Sequence, residues 1–459
     1  MREIPLDSAH IEGRAYFPLP LVPMEQFMLW DDSPAFPKRF RVVTEFRGEV
    51  DVAKLDEAIA KSILRHPLLL AQIDLSSVPP AWVLPEHPRI RWVWGEEAWQ
   101  VCPAALTRQA TDSGNLRIWG GAKDGKAHLT FEVHHAACDG LGLRQFVGDL
   151  LRYYDFLHHT PSQTSHTTPT LTRLEPERLR HRGVFKRPGP DGNSRPTSLW
   201  EKLTQAYDFH CRGPVPLSGT TGKPSASRPP QPHHYLRQQL DPEATQRLLL
   251  AWEKYGDASS TVNDRAIARL LDVMAEWNLR AGRAPLTQRL RVMMPVDLRN
   301  HADGRLPAAN RLGFGFLISD LASCRDPAGL GRSISAQTQA IRRLSLGLDF
   351  LEIFGFLAAS PRLARWIVQR PRCMATAVLT NLGDVSRRHR KVLIDQSAPL
   401  RIGNLELESV VGFPPLRPKT HLGVGLCRSA RGLTVGLVAD AQHFTEEDCQ
   451  ELLGRFLIV

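Results

Sequence analysis

His134-His135-Ala136-Ala137-Cys138-Asp139-Gly140 is the stretch on which the reading of this chain turns. Upstream of it, Leu129, Phe131 and Val133 alternate with Thr130 and Glu132, the two-residue period of a half-buried strand. His135 continues the apolar face and His134 the polar one. A strand that persists this far therefore sends the two imidazoles to opposite sides, and only His135 to the interior. Downstream, Leu143, Phe146, Val147, Leu150, Leu151, Tyr154 and Leu157 recur at helical spacing, and Asp139-Gly140 sits where a helix N-cap belongs. The stretch is a strand-to-helix turn.

Such a turn can carry proton chemistry. An imidazole in a wet cavity needs a polar partner for one ring nitrogen, which leaves the other free to accept a proton near neutral pH. His135 is therefore a candidate general base. Its neighbours have plainer readings: Asp139 needs no role beyond capping the helix, and His134 reads as structural. Cys138 could be a nucleophile with His135 as its base, but the sequence supplies no third group to orient such a pair.

The chain has 459 residues, more than a single core comfortably organises, so two domains are expected. Apolar residues make up 42%, enough for substantial cores. Mixed strand and helix signals fill residues 1–158 and 232–459, and no internal sequence repeat is visible. Between them, residues 159–231 are rich in Pro, Ser, Thr and Gly and read as a crossover linker, with a short helix expected over 200–209. Seven cysteines without a C-x-x-C pair argue against both a structural zinc site and a secreted disulfide framework. The N-terminus lacks the pattern of a signal peptide and no apolar run reaches about 18 residues, so a cytoplasmic protein without a membrane span is expected. The most apolar stretch, residues 350–359, reads as a buried helix in preference to an interfacial anchor.

The formal charge of +10 gathers at Arg178-Leu179-Arg180-His181-Arg182, Lys186-Arg187 and Arg387-Arg388-His389-Arg390-Lys391. Solvated loop faces explain these clusters, and they would also attract phosphates or an acidic protein surface. No zinc, helix-turn-helix or aromatic stacking motif accompanies them, which disfavours nucleic acid as a partner.

The motif His134-His135-x-x-x-Asp139-Gly140 resembles the signature of the chloramphenicol acetyltransferase-like superfamily, which includes condensation domains of peptide synthetases and free-standing acyltransferases. The resemblance covers nearly the whole chain. Phe40-Arg41-Val42-Val43, Val52 to Ala58 and Arg65-His66-Pro67-Leu68-Leu69 are similar to the family's opening strand, first helix and following turn. Thr261-Val262-Asn263-Asp264, Met294 to Arg299, Asn310 to Gly313, Thr380-Asn381-Leu382-Gly383 and Leu433 to Leu457 match later elements. Several of these have local explanations too. Thr261-x-x-Asp264 and Thr445-x-x-Asp448 are plain capping boxes. Leu290, Val292 and Met294 read as a strand ending at Pro295, after which Arg299 could be a solvated loop residue.

The resemblance implies an α/β fold of two chloramphenicol acetyltransferase-like subdomains, a pseudo-dimer with a tunnel between them. It implies His135 as the base, with His134 and Gly140 as motif support. Asp139 would be structural, paired with an arginine from the other half; Arg299 is the position that matches, with Arg291, Arg305 and Arg311 as competitors. The acceptor would attack a thioester directly, without a covalent acyl-enzyme and without a metal or tightly bound cofactor. A backbone group after the motif, at Gly140, is a candidate oxyanion donor. The implied activity is transfer of an acyl group from acyl-coenzyme A to a hydroxyl or amine of a small molecule or lipid. A discrete condensation enzyme fed by a separate phosphopantetheinyl carrier protein is the alternative. The wax ester branch shares HHAxxDG and an Asn-Asp pair, here Asn263-Asp264, but Thr380 to Gly383 departs from its usual Asn-Val-Pro-Gly pattern. A non-enzymatic carrier-docking platform is the reading from another class; relatives of that kind tend to lose the histidine pair, which is intact here.

Overall fold

The computed structural model describes residues 1–96, 114–159, 169–185, 213–220, 233–282, 285–358, 360–385 and 400–458. The helix expected over 200–209 and the basic stretches Lys186-Arg187 and Arg387 to Lys391 lie outside the described residues.

In chain order the strands are β1 (Arg2–Pro5), β2 (Leu19–Pro20), β3 (Arg39–Arg47), β4 (Gln72–Asp74), β5 (Ala81–Val83), β6 (Arg89–Trp94), β7 (Leu116–Lys123) and β8 (Lys126–His134). They continue with β9 (His233–Leu240), β10 (Arg289–Asp297), β11 (Leu312–Asp320), β12 (Ala377–Asp384), β13 (Arg401–Ile402), β14 (Leu405–Phe413), β15 (Leu422–Ser429) and β16 (Gly432–Asp440). A seven-stranded sheet has the order β1-β6-β7-β8-β3-β14-β13, a six-stranded sheet the order β11-β10-β12-β15-β16-β9, and β2-β5-β4 form a small third sheet. The principal helices are α1 (Pro23–Trp30), α2 (Val52–Ile63), α3 (Gly140–His158), α4 (Pro242–Ala251), α5 (Val262–Arg280), α6 (Pro327–Arg343), α7 (Leu346–Ala358), α8 (Pro361–Gln369) and α9 (Glu446–Leu457).

The two large sheets belong to two similar α/β halves. In each, an antiparallel hairpin feeds a helix: β7 and β8 lead into α3, and β15 and β16 lead into α9. There are two large apolar cores: one joins Phe131, Phe146 and Ile59 to Phe314 and Leu351 from later in the chain, and the other includes Leu271, Val292 and Val435. The capping boxes form as their sequences require. Thr261 Oγ1 accepts from the Asp264 amide at 3.2 Å and Asp264 Oδ2 from the Thr261 amide at 2.9 Å, with Thr445 and Asp448 repeating the arrangement.

The halves are also tied together. β14 lies antiparallel to β3 of the N-terminal sheet, Val411 opposite Val43, and passes so close to β15 that a Cβ on Gly425 would run into the Gly412 carbonyl. Glycine is required there by the approach itself.

Two local readings are corrected by this packing. β8 is not half-buried, since Thr130, Glu132 and His134 are as enclosed as the apolar face. Glu132 survives inside because Arg41 donates to it at 2.7 Å and Arg117 at 2.8 Å, and Arg41 in turn stacks on Tyr235 of β9. Over its described residues, 350–358, the apolar stretch is helical but only partly buried. In α7, Leu351 and Phe354 face Phe27 and the core, while Ile353 and Phe356 remain 48% and 83% exposed. Among the described residues no helix is long and apolar enough to cross a membrane.

Candidate active site

β8 ends at His134 and α3 begins at Gly140, so the motif is the turn between them. The two histidines face different surroundings. His134 accepts from the Ala136 amide through Nδ1 at 3.2 Å and places Nε2 3.5 Å from Asp32 Oδ2, which makes it a brace for the turn. His135 is half-buried and lines a cavity between the two large sheets, partly open to solvent. Its backbone is pinned on both sides: its amide donates to the Lys38 carbonyl at 2.7 Å, and Asn310 Nδ2 donates to its carbonyl at the same distance. The ring leans on Phe40, with centroids 4.8 Å apart.

Burial pushes the His135 imidazole down to about 4, against the pull of the Asp139 charge and of its own carbonyl. The ring is thus neutral at physiological pH, the form in which a ring nitrogen can accept a proton. Its Nδ1 has no hydrogen-bond partner among the described residues.

Asp139 has both of the roles weighed for it. Oδ1 caps α3 by accepting from the Gly142 amide at 2.8 Å and also accepts from Arg299 Nη2 at 2.8 Å. Oδ2 accepts from Arg299 Nη1 at 2.8 Å and from the Arg311 amide at 2.7 Å. Burial alone would raise this carboxyl, but the guanidinium and the two amides more than compensate and hold it below the usual range. Four donors leave Asp139 fixed and ionised. Arg299, raised by the same carboxylate despite burial, is anchored further by the Ala309 carbonyl at 3.0 Å and Asp297 Oδ1 at 3.3 Å. The three competing arginines go elsewhere. Arg311 Nη2 pairs with Asp303, Arg305 pairs with Glu175, and Arg291 Nη1 donates to the Met374 carbonyl.

The turn presses tightly on the other half: a Cβ on Gly142 would come within 2.8 Å of both the Ala309 carbonyl and the Cys138 sulfur. Cys138 itself is enclosed, points at the Asp139 carbonyl, and burial raises its thiol well above the ordinary range, so it is not a thiolate nucleophile. Gly140 lines the cavity as the first residue of α3, where an amide has no acceptor within the helix.

Most of the cavity wall is apolar, including Phe27, Met28, Met293, Phe314, Leu382 and Phe413. A buried ionic group stands on one side. Asp31 stands between Lys38 Nζ, 2.8 Å away, and Arg417, whose Nη2 donates to it at 2.8 Å. Burial, with Arg417 nearby, pulls the Lys38 ammonium down to about 8. Asn310 carries no local signal of its position at the site, because it reaches His135 only through the packing of the two halves, as Arg417 reaches Asp31. The basic run 178–182 is likewise divided by the fold: Arg182 is internal, forked on Glu25 at 2.6 and 2.8 Å, while Arg180 is exposed.

No protein-family model matches the chain, and no curated protein matches it. Solved structures do. The trichothecene 15-O-acetyltransferase from Fusarium sporotrichioides is similar over 95% of this chain and 93% of its own, with 13% identity and a TM-score of 0.65. Polyketide synthase associated protein 5 from Mycobacterium tuberculosis is similar over 96% of each chain, with 17% identity and a TM-score of 0.60. The starter condensation domain of rhizomide synthetase, solved with C8-CoA and Leu-SNAC, is similar over 98% of this chain and 95% of its own, with 15% identity and a TM-score of 0.58. The fold is thus the two-subdomain, chloramphenicol acetyltransferase-like fold of condensation domains and acyltransferases.

Proposed function

We propose that the chain is an acyltransferase that moves an acyl group from a thioester, acyl-coenzyme A in the first place, to a hydroxyl or amine. The carrying observation is the His135 imidazole on the wall of an apolar cavity, in the same turn as the Asp139 carboxylate that Arg299 grips through both oxygens. An alcohol or amine becomes an effective nucleophile as its proton leaves, and His135 takes that proton while the acceptor oxygen or nitrogen bonds to the thioester carbon. The tetrahedral intermediate then collapses, the carbon–sulfur bond breaks, and the imidazolium returns the proton to the departing thiolate. No acyl-enzyme forms, and the reaction calls for no metal or tightly bound cofactor.

Asp139 takes no proton in this scheme. Its four donors make it a positioning residue that keeps the motif turn in shape, and an ionised carboxylate near His135 favours the imidazolium when it forms. The Gly140 amide is the candidate donor to the developing oxyanion. The apolar wall suits an acyl chain or a hydrophobic acceptor.

A thioester presented by a separate carrier protein would enter the same chemistry, and the +10 charge favours an acidic carrier. The test is free-thiol release from acyl-coenzyme A donors of increasing length, with mixed alcohol and amine acceptors, in the wild type and in His135→Ala. Acceptor-dependent release that disappears in the variant is expected. Equal release in both would overturn His135 as the base. Stable binding of a carrier protein with no thioester consumed would make the chain a docking platform.

A further inference from the structure

The strand-to-helix turn that carries His135 occurs a second time, at residues 440–446, with different side chains. In the first, the His134 amide donates to the Asn115 carbonyl across the hairpin, Ala137 donates back to the His134 carbonyl, and Asp139 caps α3 through Gly142. In the second, the Asp440 amide donates to the His421 carbonyl at 3.0 Å, His443 donates back to the Asp440 carbonyl at 2.9 Å, and Thr445 caps α9 through Asp448. The spacing is identical: Asp440 stands where His134 stands, Ala441 where His135 stands, His443 where Ala137 stands, and His421 where Asn115 stands. This turn has no general base, but it has three ligating side chains in one place.

One donor atom from each of His421, Asp440 and His443 lies within 4.8 Å of the other two. Asp440 Oδ2 is 3.5 Å from His421 Nδ1 and 3.9 Å from His443 Nε2, and the two rings meet edge to face with centroids 3.8 Å apart. Donors held by bonds of about 2.0–2.2 Å in a tetrahedral shell stand roughly 3.3–3.6 Å apart; the two Asp440 contacts are near that spacing already, and a shift on the order of 1 Å brings the third pair, within 4.8 Å, to it. Asp440 and His421 are deeply buried, and Asp440 Oδ2 and His421 Nδ1 face each other at 3.5 Å without a hydrogen bond of normal geometry among the described residues. A buried pair met this loosely gains from a shared ion. The carboxylate is also already oriented, because the Gln442 amide donates to Oδ1 at 3.1 Å and leaves Oδ2 facing the histidines.

We propose that His421, Asp440 and His443 form a site for a late first-row divalent cation, zinc foremost. Two imidazoles and one carboxylate are a borderline nitrogen and oxygen donor set that suits zinc, cobalt, nickel or copper and gives calcium and magnesium too few oxygens. The ion would clamp the β15–β16 hairpin to the turn that starts α9. It takes no part in acyl transfer, so the site stands or falls separately from the proposed reaction.

The test is titration of the full, chelator-treated chain with Co(II) and then Zn(II), following visible absorption, heat and melting temperature. One equivalent of Co(II) with the intense absorption of a four-coordinate ion, displaced by Zn(II), and a melting temperature raised by zinc are expected. Both signals should be lost in His443→Gln, whose half-buried position tolerates exchange, and in Asp440→Asn. Absence of saturable binding by the folded wild type would overturn the site, as would equal binding by a folded His443→Gln.

Discussion

Arg299 holds both carboxylate oxygens of Asp139 from 160 residues away in sequence, Nη1 on Oδ2 and Nη2 on Oδ1, each at 2.8 Å. The pair joins the motif turn of one half to the loop that follows β10 of the other. Removing either partner leaves a buried charge uncompensated, which costs about 3–5 kcal/mol. Arg299→Ala and Asp139→Asn should each lower stability and activity, and the double variant should be no worse than the worse single one. Denaturant unfolding of the three variants measures this; additive losses would show that the residues act independently.

His135→Ala should lower kcat/KM by about 10²–10⁴ while leaving the melting temperature near that of the wild type. The working form is the neutral imidazole, so activity is lost as it gains a proton. With His135 pushed down to about 4, kcat/KM should be level through neutral pH and fall only in acid, toward that value. A pH–rate profile with its acid limb near the ordinary 6.5 would show that burial does not govern this ring in the working enzyme.

Stability should follow pH in the same window. His135 and His66 both have their pKa lowered in the fold, chiefly by burial, so between the ordinary 6.5 and the lowered value the unfolded chain binds more protons than the folded one. Stability is therefore retained above 6.5 and declines as pH falls from there toward about 4. Denaturant midpoints across this range check the slope, and His135→Ala should reduce it.

The Lys38–Asp31–Arg417 group predicts an asymmetry. Asp31→Asn leaves two buried cations facing each other and should cost about 3–5 kcal/mol. Lys38→Met leaves a neutral Asp31–Arg417 pair and fills a similar volume, so it should cost less than about 2 kcal/mol. Equal losses by chemical denaturation would contradict this account.

Asn310→Ala removes the hydrogen bond on the His135 carbonyl and leaves that carbonyl to find another partner. The cost should be about 1–2 kcal/mol, expressed in kcat more than in KM if Asn310 serves to position the base. Steady-state kinetics with Asn310→Asp, which keeps the shape but loses the donor, should reproduce the kcat loss.

The local order of this fold is written in neighbouring residues. The alternation of Leu129, Phe131 and Val133, the helical spacing from Leu143 to Leu157, and the caps at Asp139, Thr261 and Thr445 each specify an element through atoms a few residues apart. The HHxxxDG spacing carried the resemblance, and the fold it implied is the one observed. Contacts across the two halves follow a different logic. That Arg299 and not Arg291, Arg305 or Arg311 holds Asp139, that Asn310 grips His135, and that β14 crosses into the N-terminal sheet are decided when two sheets pack. The reason is physical: periodicity and capping act over one or two turns of chain, whereas burial and ion pairing depend on which distant surfaces exclude water together, and only the tertiary structure selects those.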